Sequence, residues 1–182
     1  MASMSAPPDH FALLGLEPRF AIDLDRLEAA YKRVQGQVHP DRFAAGTPAE
    51  RRVAMQWATR ANEAFRALRD DGRRAAYLCE LAGVGIDAES NTAMPPAFLM
   101  EQLEWREALD AARAGAAALE PIEREVESAR ARTVAKLAEL LDERRDPVRA
   151  AEQVRQLMFI DKFRAELRAA AESRVAQQAV GG

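Results

Sequence analysis

Thiol and imidazole groups are nearly missing from this chain: its 182 residues include one cysteine, Cys79, and two histidines, His10 and His39. A lone cysteine excludes an internal disulfide and fits a reducing compartment. Three scattered nitrogen and sulfur donors, without paired spacing, make neither a zinc site nor a cluster-holding site. No metal and no cofactor is therefore expected. An excess of basic charge is missing too. Residues 1–85 sum to +1 and residues 86–182 to −4, within a formal net charge of −3. Nucleic-acid binding usually needs a strong positive surplus, so no nucleic-acid partner is expected. No apolar run approaches the roughly 20 residues that cross a bilayer. The opening "MASMSAPPDH" lacks the basic segment and apolar run of a secretory signal, which leaves a cytoplasmic protein with no membrane partner as the expectation. Glycine is scarce, at nine residues, while 48% of the chain is apolar and 30% charged. That is an ordinary globular composition rather than a disordered one, and its wealth of Ala, Leu, Arg and Glu favours an all-α fold.

Hydrophobic spacing and end signals divide the chain into helices. After Asp23, the residues Leu24, Leu27, Tyr31, Val34 and Val38 recur at intervals of three and four. Pro40 biases His39 away from helical dihedrals and stops this helix near Val38. The next helix has strong start signals: Thr47 as cap, Pro48 in the first position and Glu50 completing a capping box. Its inward stripe is expected to be Val53, Trp57, Ala61, Ala64 and Leu68. Between the two lies a loop of about eight residues, which predicts antiparallel neighbours, a hairpin. A short helix follows from Arg73 to Ala82, and the polar "VGIDAESNTAM" reads as a linker. The expected division is 1–83, a linker at 84–94, and 95–182. In the last part three helical segments, opened by Pro95–Pro96, Pro121 and Asp146–Pro147, predict an antiparallel three-helix bundle.

The loop holds His39-Pro40-Asp41. A histidine near an acid can serve as a general base, but residues two apart around a proline point apart more often than together. No partner nucleophile stands out, because Cys79 sits among Tyr77, Leu78 and Leu81 in an apolar context. Neither metal binding nor catalysis is supported, and the chain is not expected to be an enzyme. On the tripeptide alone, a proline-stiffened turn is the favoured reading.

The surroundings of that turn carry more. It lies between a helix with Arg26, Lys32 and Arg33 on its outer face and a cleanly capped second helix, with "DHFALLGL" before it and "NEAFRAL" after it. This arrangement resembles the J-domain of DnaJ-type co-chaperones. The resemblance implies that His39, Pro40 and Asp41 trigger ATP hydrolysis in a DnaK-type chaperone and that Arg26, Lys32 and Arg33 make electrostatic contacts with it. Two positions depart from the pattern: Val38 stands where J-domains often have Tyr, and His10 replaces the aromatic usual after the N-terminal Asp.

In "PAFLMEQLEWREALDAARAG" a 100° projection groups Phe98, Gln102, Trp105 and Leu109 on one side, assigned to the core. Met100, Leu103, Glu104 and Glu107 gather on the other side, with Leu99 at the edge. A bundle helix needs one apolar stripe, so the second cluster is either a protein-binding patch or a surface packed on the first domain; spacing leaves both open. In "VRQLMFIDKFRAEL", Val154, Leu157, Ile160, Phe163 and Leu167 form a broad stripe with Met158 and Phe159 beside it. After a J-domain of this length, "FLMEQLEWREALD" and "LMFIDKFRAEL" closely resemble the HscB/Jac family, the J-type co-chaperones of iron–sulfur cluster assembly, from about Asp9 to Leu167. The resemblance implies an L-shaped, all-α monomer that stimulates the ATPase of a specialised DnaK-type chaperone, HscA, and delivers to it the cluster scaffold IscU. The family's scaffold contacts fall here on Leu99, Met100, Leu103, Glu104, Glu107 and Phe159, while one further acidic contact position is Ala111. The competing class is a general J-protein that hands unfolded polypeptides to DnaK; its Gly/Phe-rich segment and cysteine-rich zinc module are absent from this sequence.

Overall fold

A computed structural model describes residues 8–43, 45–86, 94–115 and 117–180. All regular structure among these residues is helical. The core of the expected linker, residues 87–93, lies outside the described residues.

Local chemistry explains where the N-terminal helices begin and end. Asp9 caps α1 (His10–Leu14) by accepting from the Ala12 N–H, and Gly15 closes it at φ +66°, a left-handed dihedral that suits glycine. α2 (Leu24–Val38) starts at Asp23, whose carboxylate accepts from the Asp25 and Arg26 N–H groups. It stops at His39, held extended before Pro40, and a 3-10 turn (Pro40–Phe43) follows. α3 (Pro48–Arg69) opens on the expected capping box: Thr47 Oγ1 accepts from the Glu50 N–H at 3.2 Å, and Glu50 Oε2 accepts from the Thr47 N–H at 2.7 Å. The Thr47 N–H and hydroxyl, both donating to Glu50 Oε2, hold the Glu50 carboxyl below its ordinary value. Asp70 ends α3 and caps α4 (Asp71–Leu81) through the Arg73 N–H.

α2 and α3 form the hairpin, and its seam pairs leucines with alanines. Leu27 and Ala30 meet Ala64 and Leu68, with Phe11 and Leu14 of α1 closing one side. Several residues expected in this seam lie outside its buried part: Trp57 and Val38 are only half-buried, and two others are more open. Val53 and Leu24 are about half exposed. Ala54, about 100° round the helix from Val53, takes the inward position instead. Leu24 is the first residue of α2 and has no preceding turn to pack beside it.

The C-terminal bundle comprises α5 (Pro96–Arg113), α6 (Glu120–Ala138) and α7 (Pro147–Val180). Phe98, Trp105 and Leu109 from α5 pack with Ile122, Val126, Ile160, Phe163 and Leu167 in one core. A second core joins α4 to α7: Ala75 and Cys79 meet Ala150, Ala151, Val154 and Leu157, with Phe20, Leu137 and Leu140 alongside. The α-helical part of α6 ends at Ala138, earlier than the expected end near Arg145. A π-turn (Glu139–Glu143) takes over. It keeps Leu140 in the core and closes through an Asp146 N–H to Leu140 carbonyl bond of 2.8 Å. Arg145 adopts the left-handed dihedral φ +52° to complete the reversal.

Polar fastenings accompany this second core. Asp142, in the π-turn, accepts from the Phe20 and Ala21 N–H groups at 2.7 and 2.8 Å. Arg74 is 4% exposed and donates to the Phe20 carbonyl, the Leu68 carbonyl and Asp71. Asp71 in turn accepts from Arg130 at 2.9 Å, and Arg130 reaches Asp161 at 2.8 Å. Asp161 accepts from Arg164, which also pairs with Glu127. Six alternating charges thus run from α4 through α6 to α7. Hydrogen bonds from Arg130 and Arg74 hold the Asp71 carboxyl below its ordinary value, against the burial that would raise it.

Candidate functional site

The His-Pro-Asp tripeptide lies at the tip of the hairpin, between α2 and α3. The side chains of His39 and Asp41 are 54% and 89% exposed. Contrary to the expectation for residues two apart around a proline, they approach each other: His39 Nδ1 lies 3.5 Å from Asp41 Oδ2 and 3.4 Å from the Asp41 N–H. The 3-10 turn accounts for this, since it folds the chain back so that the Arg42 N–H donates to the His39 carbonyl at 3.0 Å. Arg42 also donates from Nη1 to the Gly36 carbonyl at 2.8 Å, hanging the loop from the last turn of α2.

The expected basic residues of α2 are all exposed. Lys32 pairs with Glu28 one turn earlier, which draws the Glu28 carboxyl below its ordinary value. Arg26 and Arg33 fall within about 20° of each other at 100° per residue, whereas Lys32 lies about 100° from Arg33. The three cations therefore spread over the outer half of the helix rather than form one stripe.

A second surface lies on α5. Leu99, Met100 and Leu103 are 49%, 58% and 51% exposed. They stay uncovered by the hairpin, so of the two readings open from spacing the packed one does not hold. Glu104 and Glu107 flank them, also exposed. Phe159 of α7 is half-buried against the bundle core, with its ring edge-on to Phe98 at 5.9 Å and stacked on Phe163 at 6.4 Å. Met158 beside it is 48% exposed. On the opposite, inner side of α5, Trp105 stacks on Phe163 at 5.7 Å within the bundle core.

Reactive chemistry has little to work with here. Burial pushes the Cys79 thiol up to about 11, and its Sγ faces the Pro147 carbonyl in the second core. A thiol so raised is almost wholly protonated at neutral pH and a poor nucleophile. Among the described residues no group of three His, Cys, Asp or Glu side chains gathers as metal ligands would. His10 packs at 4.3 Å on Tyr77, whose hydroxyl accepts from the His10 N–H. Burial there lowers its pKa. Sequence reasoning missed a polar cluster in the hairpin, Tyr31, Gln35 and Asn62. The spacing of Tyr31 and Gln35, one turn apart and facing the seam, is the signal that was available.

Two exposed surfaces of different chemistry, one polar on a hairpin tip and one apolar on a bundle helix, give this all-helical chain the build of an adaptor. The bundle region, residues 94–168, matches the family model described as the HSCB C-terminal oligomerisation domain. The chain is 56% identical over 165 residues to the co-chaperone protein HscB homolog of Bordetella petrii, covering 91% of this chain and 97% of that one. To the homolog from Burkholderia mallei it is 53% identical over 172 residues, covering 93% and 97%. Chaperone HscB from Vibrio cholerae superimposes with a TM-score of 0.80 at 32% identity, over 91% of this chain and 99% of that one. The human co-chaperone protein HscB, 24% identical, shares the fold with a TM-score of 0.83 over 91% and 83% of the two chains. The chain belongs to the HscB family of co-chaperones.

Proposed function

We propose that this co-chaperone acts in iron–sulfur cluster biogenesis by stimulating the ATPase of a specialised DnaK-type chaperone, HscA, and delivering to it the scaffold protein IscU. The observation that carries the reading is the uncovered apolar face of Leu99, Met100 and Leu103 on a different element from the hairpin tip, where His39 and Asp41 are exposed to solvent. An ATPase trigger alone would need only the tip.

In this reading residues 1–83 form the J-domain, 84–94 the linker and 95–182 the scaffold-binding bundle. His39, Pro40 and Asp41 dock on the nucleotide-bound chaperone. Proline at the centre of the loop limits the freedom lost on docking. Arg26, Lys32 and Arg33 speed encounter with an acidic chaperone surface and add modest affinity. Leu99, Met100, Leu103 and Phe159 give the scaffold an apolar landing site, rimmed by Glu104 and Glu107. The protein lowers a barrier in its partner by biasing conformations and performs no reaction of its own. It works as a cytoplasmic monomer without a cofactor. The deciding experiment is ATP turnover by the specialised chaperone and by DnaK, each with and without scaffold. Stimulation of the specialised chaperone that rises further with scaffold is expected. Equal stimulation of DnaK by way of unfolded polypeptide would favour the general J-protein instead.

A further inference from the structure

The two helices of the hairpin are unequally joined along their length. The buried residues of α2 are Leu27 and Ala30, both in its first half. Its last two turns, which lead to His39, contribute none. α3 has only Ala54 buried before Ala61. Near the tip, then, apolar packing thins out. Gly36 weakens the same region: in the last turn of α2 it leaves the backbone a freedom that alanine would remove, and open space surrounds the position where a Cβ would stand. No close approach requires a glycine there.

What fastens this thin part is polar. The Tyr31 hydroxyl donates to Asn62 Oδ1 at 2.7 Å. Gln35 Nε2 donates to the same Asn62 Oδ1 at 2.6 Å and to the Tyr31 hydroxyl at 2.9 Å. The Tyr31 ring stacks on Phe65 at 4.3 Å, which fixes the hydroxyl from below. Among the described residues these are the side-chain hydrogen bonds that join α2 to α3. The peptide just after Gln35 belongs to Gly36, and its carbonyl receives the Arg42 guanidinium. A continuous line of contacts therefore runs from Asn62 on α3 through Gln35 and the Gly36 carbonyl to Arg42 and the loop.

We propose that Asn62 is a positioning residue for the ATPase trigger: its side-chain oxygen, accepting from both Tyr31 and Gln35, fixes the last two turns of α2 and so the direction in which the His39-Pro40-Asp41 loop faces the chaperone. The inference rests on the trigger role proposed above. The oxygen matters and the amide nitrogen does not, since both bonds end on Oδ1. Asn62→Asp keeps that acceptor, whereas Asn62→Leu removes it at similar volume.

The test compares the two variants by ATP turnover of the specialised chaperone and by amide hydrogen exchange of the free protein. Asn62→Leu is expected to raise the concentration needed for half-maximal stimulation about tenfold and to speed exchange at Val38 and Arg42 by a similar factor. Exchange at Leu27 and Leu68 should stay as in the wild type, and Asn62→Asp should behave as the wild type in both assays. Uniformly faster exchange along the whole hairpin would show a plain structural role and overturn the proposal. So would unchanged exchange at Val38 and Arg42, or wild-type stimulation by a folded Asn62→Leu protein. If the wild type itself fails to stimulate any chaperone, the trigger reading falls, and the exchange data still decide whether Asn62 fixes the loop.

Discussion

Replacing Leu99, Met100 and Leu103 together with serine separates a docking face from a piece of core. Fully burying a Leu or Met side chain is worth about 1.5–3 kcal/mol. In the free protein about half of each side chain is already covered. A partner that covers the rest therefore gains about 1 kcal/mol from each, or about 3 kcal/mol for the three. That corresponds to a loss of roughly 100-fold in scaffold affinity, at 1.4 kcal/mol per tenfold. Stability should respond far less. Exposed substitutions away from caps and core usually stay within about 0.5 kcal/mol each, and 1 kcal/mol moves the melting temperature by about 2–4 °C in a chain of this size. The triple variant should thus melt no more than about 6 °C below the wild type. Isothermal titration against the scaffold and a thermal melt by circular dichroism measure both quantities. Core truncations would behave in the opposite way, at about 2–5 kcal/mol each, enough in sum to consume the stability of an ordinary domain. A large fall in melting temperature with scaffold affinity intact would show that the three side chains hold the bundle together, and the docking argument would fail.

Other consequences are open to direct measurement. His39→Gln should abolish ATPase stimulation while moving the melting temperature by less than about 2 °C, because both side chains of the His39–Asp41 contact are exposed and surface substitutions of this kind cost little; retained stimulation would refute the trigger. Arg74→Met should destabilise by about 3–5 kcal/mol, since it strips partners from the Phe20 and Leu68 carbonyls and from Asp71; urea unfolding that matches the wild type would contradict this. His10 has a lowered pKa when folded, so the unfolded chain binds its proton more readily: the contribution is complete well above the ordinary value of 6.5 and is lost as pH falls below it. His10→Gln should therefore flatten the melting temperature between pH 7 and pH 5 relative to the wild type. Cys79 should resist maleimide at pH 8 in the native state and react only as the α4–α7 core opens; rapid native labelling would show that the core is not closed.

Sequence signals succeeded where local chemistry decides the outcome. Asp23 and the Thr47–Glu50 box marked the starts of α2 and α3 because capping is settled within four residues. Phe98, Trp105 and Leu109, and the stripe from Val154 to Leu167, were legible because a bundle core imposes helical periodicity. Features that depend on distant partners were not legible. Arg74 looks like one more surface arginine until the Phe20 carbonyl from the loop before α2 and the Leu68 carbonyl from α3 converge on it beside Asp71 of its own helix. The π-turn has no residue signature; its function is visible only when Asp142 meets the Phe20 and Ala21 amides more than a hundred positions away. Leu24 and Val53 fit the period yet stay exposed, because periodicity cannot tell which of two adjacent faces a neighbouring helix will cover. At the tip, the approach of His39 to Asp41 came from a 3-10 turn that tripeptide statistics do not reveal.

The chain of alternating charges from Arg74 to Glu127 is neutral as a set, and each inner member serves two neighbours. Losing an inner member leaves the neighbours on both sides short of a partner in the half-buried joint. The same holds for chimeras. A hairpin grafted onto a foreign bundle would arrive with Asp71 and the Phe20 and Ala21 amides wanting counterparts, and would dock true only if Arg130, Asp161 and Asp142 travelled with it.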